Sequence, residues 1–137
     1  MVEIIVCLDD ENGMAFNHRR QSSDRALIND VCMLAEGRQL WMNAYSAPLF
    51  AEAACVADCH VSAQFLAEAP AHALCFVEDQ PLAPHAAHIT RFVVYHWNRR
   101  YPADVRFDLS LDEWQLVEIK DFRGHSHERI TREVYVR

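Results

Sequence analysis

Histidine, arginine and asparagine gather at three points of this 137-residue chain. The first is Asn17-His18-Arg19-Arg20-Gln21 with Asp24 close behind, the second His96-Trp97-Asn98-Arg99-Arg100-Tyr101, and the third His125-Ser126-His127-Glu128. Guanidinium forks match phosphate and carboxylate, and imidazoles exchange protons near neutral pH. One chemistry open to these residues is therefore binding without turnover. Arg19, Arg20 and Arg99 would anchor an anionic small molecule or nucleotide while Asn17 and Asn98 orient it, with His18 among the binding residues. The other is metal-independent phosphodiester cleavage, with His18 and His96 as acid and base and Arg19 against the developing charge; RNA would bring its own 2′-hydroxyl nucleophile. Asp24 joins the two histidines as a catalytic candidate.

Each cluster also has a plainer reading. His18, Arg19 and Arg20 suit a solvated or salt-bridged loop. His96 falls on the alternation of Phe92 and Val94 and suits a hydrogen-bonded core histidine. Arg99 and Arg100 suit ion pairs with Asp104 or Asp108, and His125 and His127 suit a solvated turn. Asp9, Asp10 and Glu11 suit a hydrated turn as well. Trp41, Trp97 and Trp114 suit sheet packing better than base stacking.

No metal site is expected. Cys55-Val56-Ala57-Asp58-Cys59-His60 is the one tight cluster among the cysteines, and it lacks a second pair at zinc-finger spacing. The five cysteines are odd in number, and Cys7, Cys32 and Cys75 lie in apolar runs as reduced core thiols do.

The elements that must position these clusters read as alternating strands and helices. Residues 2–8 are β-rich and apolar on both faces, and residues 9–13 supply turn chemistry. Ser22 or Ser23 is placed to cap a helix carrying Leu27, Val31 and Leu34, with Gly37 at its stop. Residues 39–42 form a short strand, Ser46 and Pro48 open a second helix, and a further short helix follows Ser62. Residues 73–77 are a third strand, residues 84–89 a helical turn, and residues 92–97 a buried strand. Residues 113–119 and 130–136 close the chain as a long antiparallel hairpin. Right-handed crossovers between the earlier strands give a mainly parallel sheet, in which ligands favour the carboxyl ends of the strands. The first two clusters follow such ends.

Bulk properties agree with one domain spanning residues 1–137. Hydrophobic residues make up 51% of the chain, enough for a buried core. The net charge of −7, with the single lysine Lys120 and all remaining positive charge on arginine, argues against an extended nucleic-acid surface. No apolar run is long enough to span a membrane and no signal peptide precedes the first strand, so a cytoplasmic protein is expected.

Val2-Glu3-Ile4-Ile5-Val6 running into Asn12-Gly13-Met14-Ala15-Phe16-Asn17 resembles the first strand and active-site loop of a dihydrofolate reductase. Tyr101-Pro102-Ala103-Asp104-Val105, Trp114 and residues 126–137 resemble the C-terminal hairpin of the same family. The resemblance implies a single-domain α/β fold: a mixed sheet, mainly parallel with a C-terminal antiparallel hairpin, and helices on both faces. It also implies that a carboxylate on the first helix, here Asp24, would bind a pterin. The reductases hold cofactor phosphate with a Gly-Arg-x-Thr turn after the second strand and a Gly-Gly pair after a later one. This chain has Met42-Asn43-Ala44-Tyr45-Ser46 and Phe76-Val77-Glu78-Asp79 there, with carboxylates where phosphates would be repelled. The expectation is the reductase fold with no cofactor and no NADPH-dependent reduction.

Short bacterial proteins with similar Phe-Asn-His-Arg-Arg-Gln-Ser and Trp-Asn-Arg-x-Tyr-Pro motifs are sometimes labelled ribonuclease Z. That enzyme needs a His-x-His-x-Asp-His motif to share two metals, and His125-Ser126-His127-Glu128 lacks the remainder. A third functional class, a non-catalytic homodimer joined through a sheet edge or through the Ala-rich residues 47–57, stands beside the binding and enzymatic readings.

Overall fold

The computed structural model describes residues 1–137. Seven strands make the main sheet: β1 (Val2–Leu8), β4 (Gln39–Met42), β5 (Asp58–Val61), β6 (Leu74–Phe76), β7 (Ile89–His96), β9 (Gln115–Phe122) and β10 (Ile130–Val136). Their order is β5-β4-β6-β1-β7-β10-β9. The five strands from β5 to β7 run parallel, and β10 and β9 add antiparallel pairs at one edge. A separate three-stranded sheet joins β2 (Gly13–Phe16), β3 (Arg19–Arg20) and β8 (Val105–Arg106).

Side-chain alternation along β1 and β7 builds two cores, one on each face of the sheet. Ile5, Val93, Tyr95 and Trp97 pack under α1 (Arg25–Leu34) and α2 (Ala47–Glu52), against Leu27, Val31 and Phe50. Ile4, Val6, Phe92 and Val94 face Phe65 of α3 (Phe65–Glu68), Leu82 before the 3-10 turn Ala83–His88, and the partly buried Phe107 and Trp114. The expected mixed sheet with helices on both faces is the architecture observed.

Several local expectations need correction. The cap of α1 is Asp24, whose carboxylate accepts from Ala26 N at 2.8 Å, and not Ser22 or Ser23. Cys32 is not a free thiol: it is bonded to Cys55, with Cα atoms 5.4 Å apart, which leaves Cys7, Cys59 and Cys75 unpaired. The basic patch after the first strand is a tight hairpin. Phe16 pairs with Arg19, and Asn17 and His18 between them have φ of 52° and 62°, the left-handed pair that a two-residue hairpin turn requires. Asp9 belongs to no hydrated turn, since it is 2% exposed. No helix is long and apolar enough to cross a membrane.

Candidate functional site

Adjacent strands β1 and β6 send their connections to opposite faces of the sheet, β1 through α1 and β6 through the 3-10 turn. Such a divergence opens a crevice at the carboxyl ends. Here it is lined by Cys7, Phe76 and Glu78 from those ends, by Arg20 to Asp24, and by Trp97.

Asp9 organises one wall. Its Oδ1 accepts from Glu11 N at 2.8 Å and Gly13 N at 2.7 Å, and its Oδ2 accepts from Tyr101 N and Gln21 Nε2, both at 3.1 Å. Burial alone would raise this carboxyl's pKa, but the backbone N–H groups of Gly13, Glu11 and Tyr101, with Gln21, outweigh it and hold the pKa below its ordinary value. One buried anion thus ties together the exit of β1, the β2–β3 hairpin and the residue after Arg100. Gly13 lies inside this cradle, where a Cβ would stand 2.5 Å from Gln21 Nε2 and 2.7 Å from Ala103 Cβ.

Asp24 organises the other wall. Besides capping α1 it accepts from His125 N at 2.8 Å, Ser126 N at 2.9 Å, Ser126 Oγ at 3.2 Å and His127 Nδ1 at 2.8 Å. Burial again opposes ionisation, and the backbone N–H groups of His125 and Ser126, with His127 and Ala26, overcome it and hold the carboxyl well below the usual carboxylate range. His127, read from sequence as a solvated turn residue, is 5% exposed. Its ring stacks on Trp97 at 4.7 Å, and its Nε2 lies 3.1 Å from Ser22 Oγ and 3.0 Å from Tyr101 Oη. The β9–β10 connection therefore plugs onto the start of α1.

The mouth of the crevice is closed by charge pairing. Arg20 forks onto Glu78 through Nε at 2.8 Å and Nη2 at 3.0 Å, and its guanidinium lies 4.4 Å from the centre of the Tyr45 ring. Glu78 also accepts from Ser46 Oγ at 2.7 Å, while Asn43 Nδ2 donates to Asp79 at 3.2 Å. The space left inside is about 20 Å³, room for a single water molecule and too little for a planar heterocycle.

Across Trp97, on the outside, lies a groove of about 310 Å³ lined by Trp97, Asn98, Arg99, Glu128 and Arg129. Asn98, left-handed at φ 59°, turns the chain out of β7, and its Nδ2 donates to Arg129 O at 3.2 Å and Thr131 Oγ1 at 2.9 Å. Arg20, Arg38, Arg91, Arg100 and Arg132 all have carboxylate partners. Arg99 and Arg129 form no ion pair.

No family model and no curated protein matches the sequence. Among solved structures the chain is similar to dihydrofolate reductase from Enterococcus faecalis complexed with NADP(H) and RAB-propyl, with a TM-score of 0.68 over 100% of this chain and 96% of that one. Identity between the two is 10%. The fold is that of dihydrofolate reductase. At that identity the likeness carries no activity.

The reductase-type fold brings the sequence clusters together by different members than expected. Asp24, His127, Trp97 and Tyr101, one or more from each cluster, meet around one imidazole. Arg20 and Asp24 line the crevice, and Asn98 and Arg99 line the groove. Asn17, His18 and Arg19 are exposed on the β2–β3 hairpin and line neither. His96 shares the face of Phe92 and Val94, away from α1, where its Nε2 engages the Glu133 carboxylate. His18 and His96 therefore share no cavity with each other there. Arg100 pairs with Glu11, while Asp104 accepts from Asn17 N at 3.0 Å and Asp108 from Leu82 N at 3.0 Å. Asp9 and His127 were the organising residues that sequence reasoning passed over. Asp9 had a usable signal, an aspartate followed four residues later by Gly13, the arrangement in which a side chain gathers backbone N–H groups. His127 had none, because its carboxylate partner is 103 residues away.

Proposed function

We propose that this protein is a binding module for a small anionic ligand, of the phosphate or nucleotide kind, and does not carry out NADPH-dependent reduction. The observation that carries this reading is the pair Arg99 and Arg129, two guanidinium groups without carboxylate partners on one groove of ligand size. Glu128 on the same groove offsets one of the two charges, so the surface keeps a positive excess. Asn98 is committed to Arg129 O and Thr131, and it acts by fixing where both arginines start. Arg20, engaged by Glu78, is not counted among the anchors.

The crevice supports the negative half of the proposal. Its pterin-type carboxylate, Asp24, already accepts from the chain's own donors, and the crevice has room for no more than one water. At the strand ends where the reductases hold cofactor phosphates, Glu78 and Asp79 present carboxylates, and Ser46 and Asn43 spend their donors on them. These residues do not fit a dinucleotide.

Calorimetric titration with inorganic pyrophosphate and with ATP, at low ionic strength, tests the reading. Saturable binding is expected, weakened about tenfold or more by Arg99→Ala or Arg129→Ala, the loss of one charge-assisted contact. No binding, or binding unchanged in the double variant, would remove the proposal.

A second reading, self-association, has its own observation. Edge strand β9 exposes Leu116, Val117 and Ile119, the last at 62%. An unpaired apolar edge is a template for another strand. Sedimentation equilibrium of the wild type and of Ile119→Lys would show a dimer lost in the variant if the edge is used, and a monomer in both if it is not. The Ala-rich alternative is weaker, because α2 is six residues long and turns Phe50 into the core.

A further inference from the structure

We propose that Ser22, His127 and Asp24 form a nucleophilic triad able to hydrolyse small acyl esters. The inference goes beyond ligand binding and stands whether or not the groove takes an anion. Three observations carry it. The first is geometric order: Ser22 Oγ is 3.1 Å from His127 Nε2, and His127 Nδ1 is 2.8 Å from Asp24 Oδ2. Serine, imidazole and carboxylate stand in the sequence that lets a base take the hydroxyl proton while an anion holds its other nitrogen, a constellation recognised by geometry on unrelated folds. The second is the fixing of the tautomer. Asp24 is an ionised acceptor, so the proton of a neutral His127 ring sits on Nδ1, and the lone pair of Nε2 faces Ser22. Stacking on Trp97 holds the ring in that plane. The third is access: Ser22 is half-buried and so is reached from solvent, while the water-sized space on its crevice side is room for the water of the hydrolytic step.

In the acylation step Ser22 Oγ bonds to the ester carbonyl carbon as its proton passes to His127 Nε2. The carbon–oxygen bond to the alcohol then breaks, and the departing oxygen takes that proton. In the second step water gives a proton to Nε2 and adds to the acyl carbon, and Ser22 Oγ leaves with the proton returned. The net change is ester plus water to acid plus alcohol. The acyl group stays on the solvent side of Ser22, because the space of about 20 Å³ inside the closed crevice has room only for the water. Asp24 acts through His127 and is a positioning residue. Tyr101 Oη, 3.0 Å from Nε2, competes with Ser22 for the same lone pair.

The test is covalent labelling of the full chain by methanesulfonyl fluoride, with the adduct located by tandem mass spectrometry. One adduct on Ser22 is expected, absent from Ser22→Ala and retained in Ser23→Ala. His127→Gln should label at least about 100-fold more slowly, the usual share of a general base. Tyr101→Phe, which removes the competing hydroxyl and disturbs the fold least, should label faster than wild type. No adduct, an adduct elsewhere, or a slower Tyr101→Phe would overturn the triad. So would wild-type labelling of a His127→Gln protein with a native circular-dichroism spectrum.

Discussion

Replacing Asp24 tests whether a single carboxylate holds the β9–β10 connection onto α1. Asp24 is 4% exposed and accepts from Ala26 N, His125 N, Ser126 N, Ser126 Oγ and His127 Nδ1. Asp24→Ala removes the cap of α1 and strands two backbone N–H groups and an imidazole without an acceptor. Breaking a buried, charge-assisted arrangement from one side destabilises by about 3–5 kcal/mol. That is a large part of the roughly 5–15 kcal/mol of a typical domain. Asp24→Asn is the sharper variant, since asparagine caps a helix as well as aspartate does. Its loss therefore reports the connection, where an amide NH₂ would face donors. The pH dependence gives a second check. The folded pKa lies below the unfolded one of about 3.9, so the unfolded chain takes up the proton first, and the carboxylate's contribution is complete above about pH 5 and falls as pH falls. At pH 3 about 1 kcal/mol of it has gone, because the unfolded carboxyl is mostly protonated there while the folded one is still ionised. Urea unfolding of wild type and Asp24→Asn at pH 7 and pH 3 should show a gap that narrows by about that amount. A gap under about 1 kcal/mol at pH 7, or one equal at both pH values, would mean that Asp24 does not hold the connection.

Four further variants have outcomes set by the packing and the disulfide. Gly124→Ala should destabilise by about 1–3 kcal/mol in urea unfolding, because the added Cβ would stand 2.7 Å from Asp24 Oδ2 and 2.8 Å from the His127 carbonyl oxygen. Arg132 lies 2.6 Å from Asp30 and 2.5 Å from Glu118, and Tyr95 Oη donates to the same Asp30 at 2.6 Å. Arg132→Ala should lose about 3 kcal/mol or more and Tyr95→Phe about 1 kcal/mol, read by the same method. The Cys32–Cys55 bond closes a segment of 23 residues, so Cys55→Ser should lower stability by about 3 kcal/mol under oxidising conditions and leave the reduced protein's stability nearly unchanged.

What was legible in the sequence follows the strength of each local signal. Strands β1 and β10 were read to the residue; β7 was read as residues 92–97 where the structure has Ile89–His96, because only its apolar stretch from Phe92 stood out and Thr90 and Arg91 interrupt the run before it. Strand β5 was missed, since Asp58-Cys59-His60-Val61 is a largely exposed edge with no alternation to detect. Strands β3 and β8 have two residues each, too few for any period. The hairpin turn at Asn17-His18 was not read as a turn, because its histidine and arginines draw the eye to charge, whereas the property that decides its backbone is an asparagine able to hold positive φ. The site divides in the same way. Asn98 and Arg99, which line the groove, follow a recognisable buried strand, so the sequence places them at a strand end. The Asp24–His127 pair spans nearly the whole chain, and only the closing of the sheet brings its halves together.

The binding surface proposed is the arginine groove outside Trp97, with the reductase-type crevice closed by the protein's own side chains. Amide and indole chemical-shift mapping of the labelled protein, with pyrophosphate, NADPH and folate titrated separately, tests it most directly. Saturable shifts with pyrophosphate are expected, centred on Asn98, Arg99, Arg129 and the Trp97 indole, and none with folate. NADPH would act only through its phosphates at that same groove. Shifts from folate or NADPH centred on Cys7, Leu27, Phe76 and Val77 would contradict it, because they would mean that the crevice opens to the ligands of a reductase.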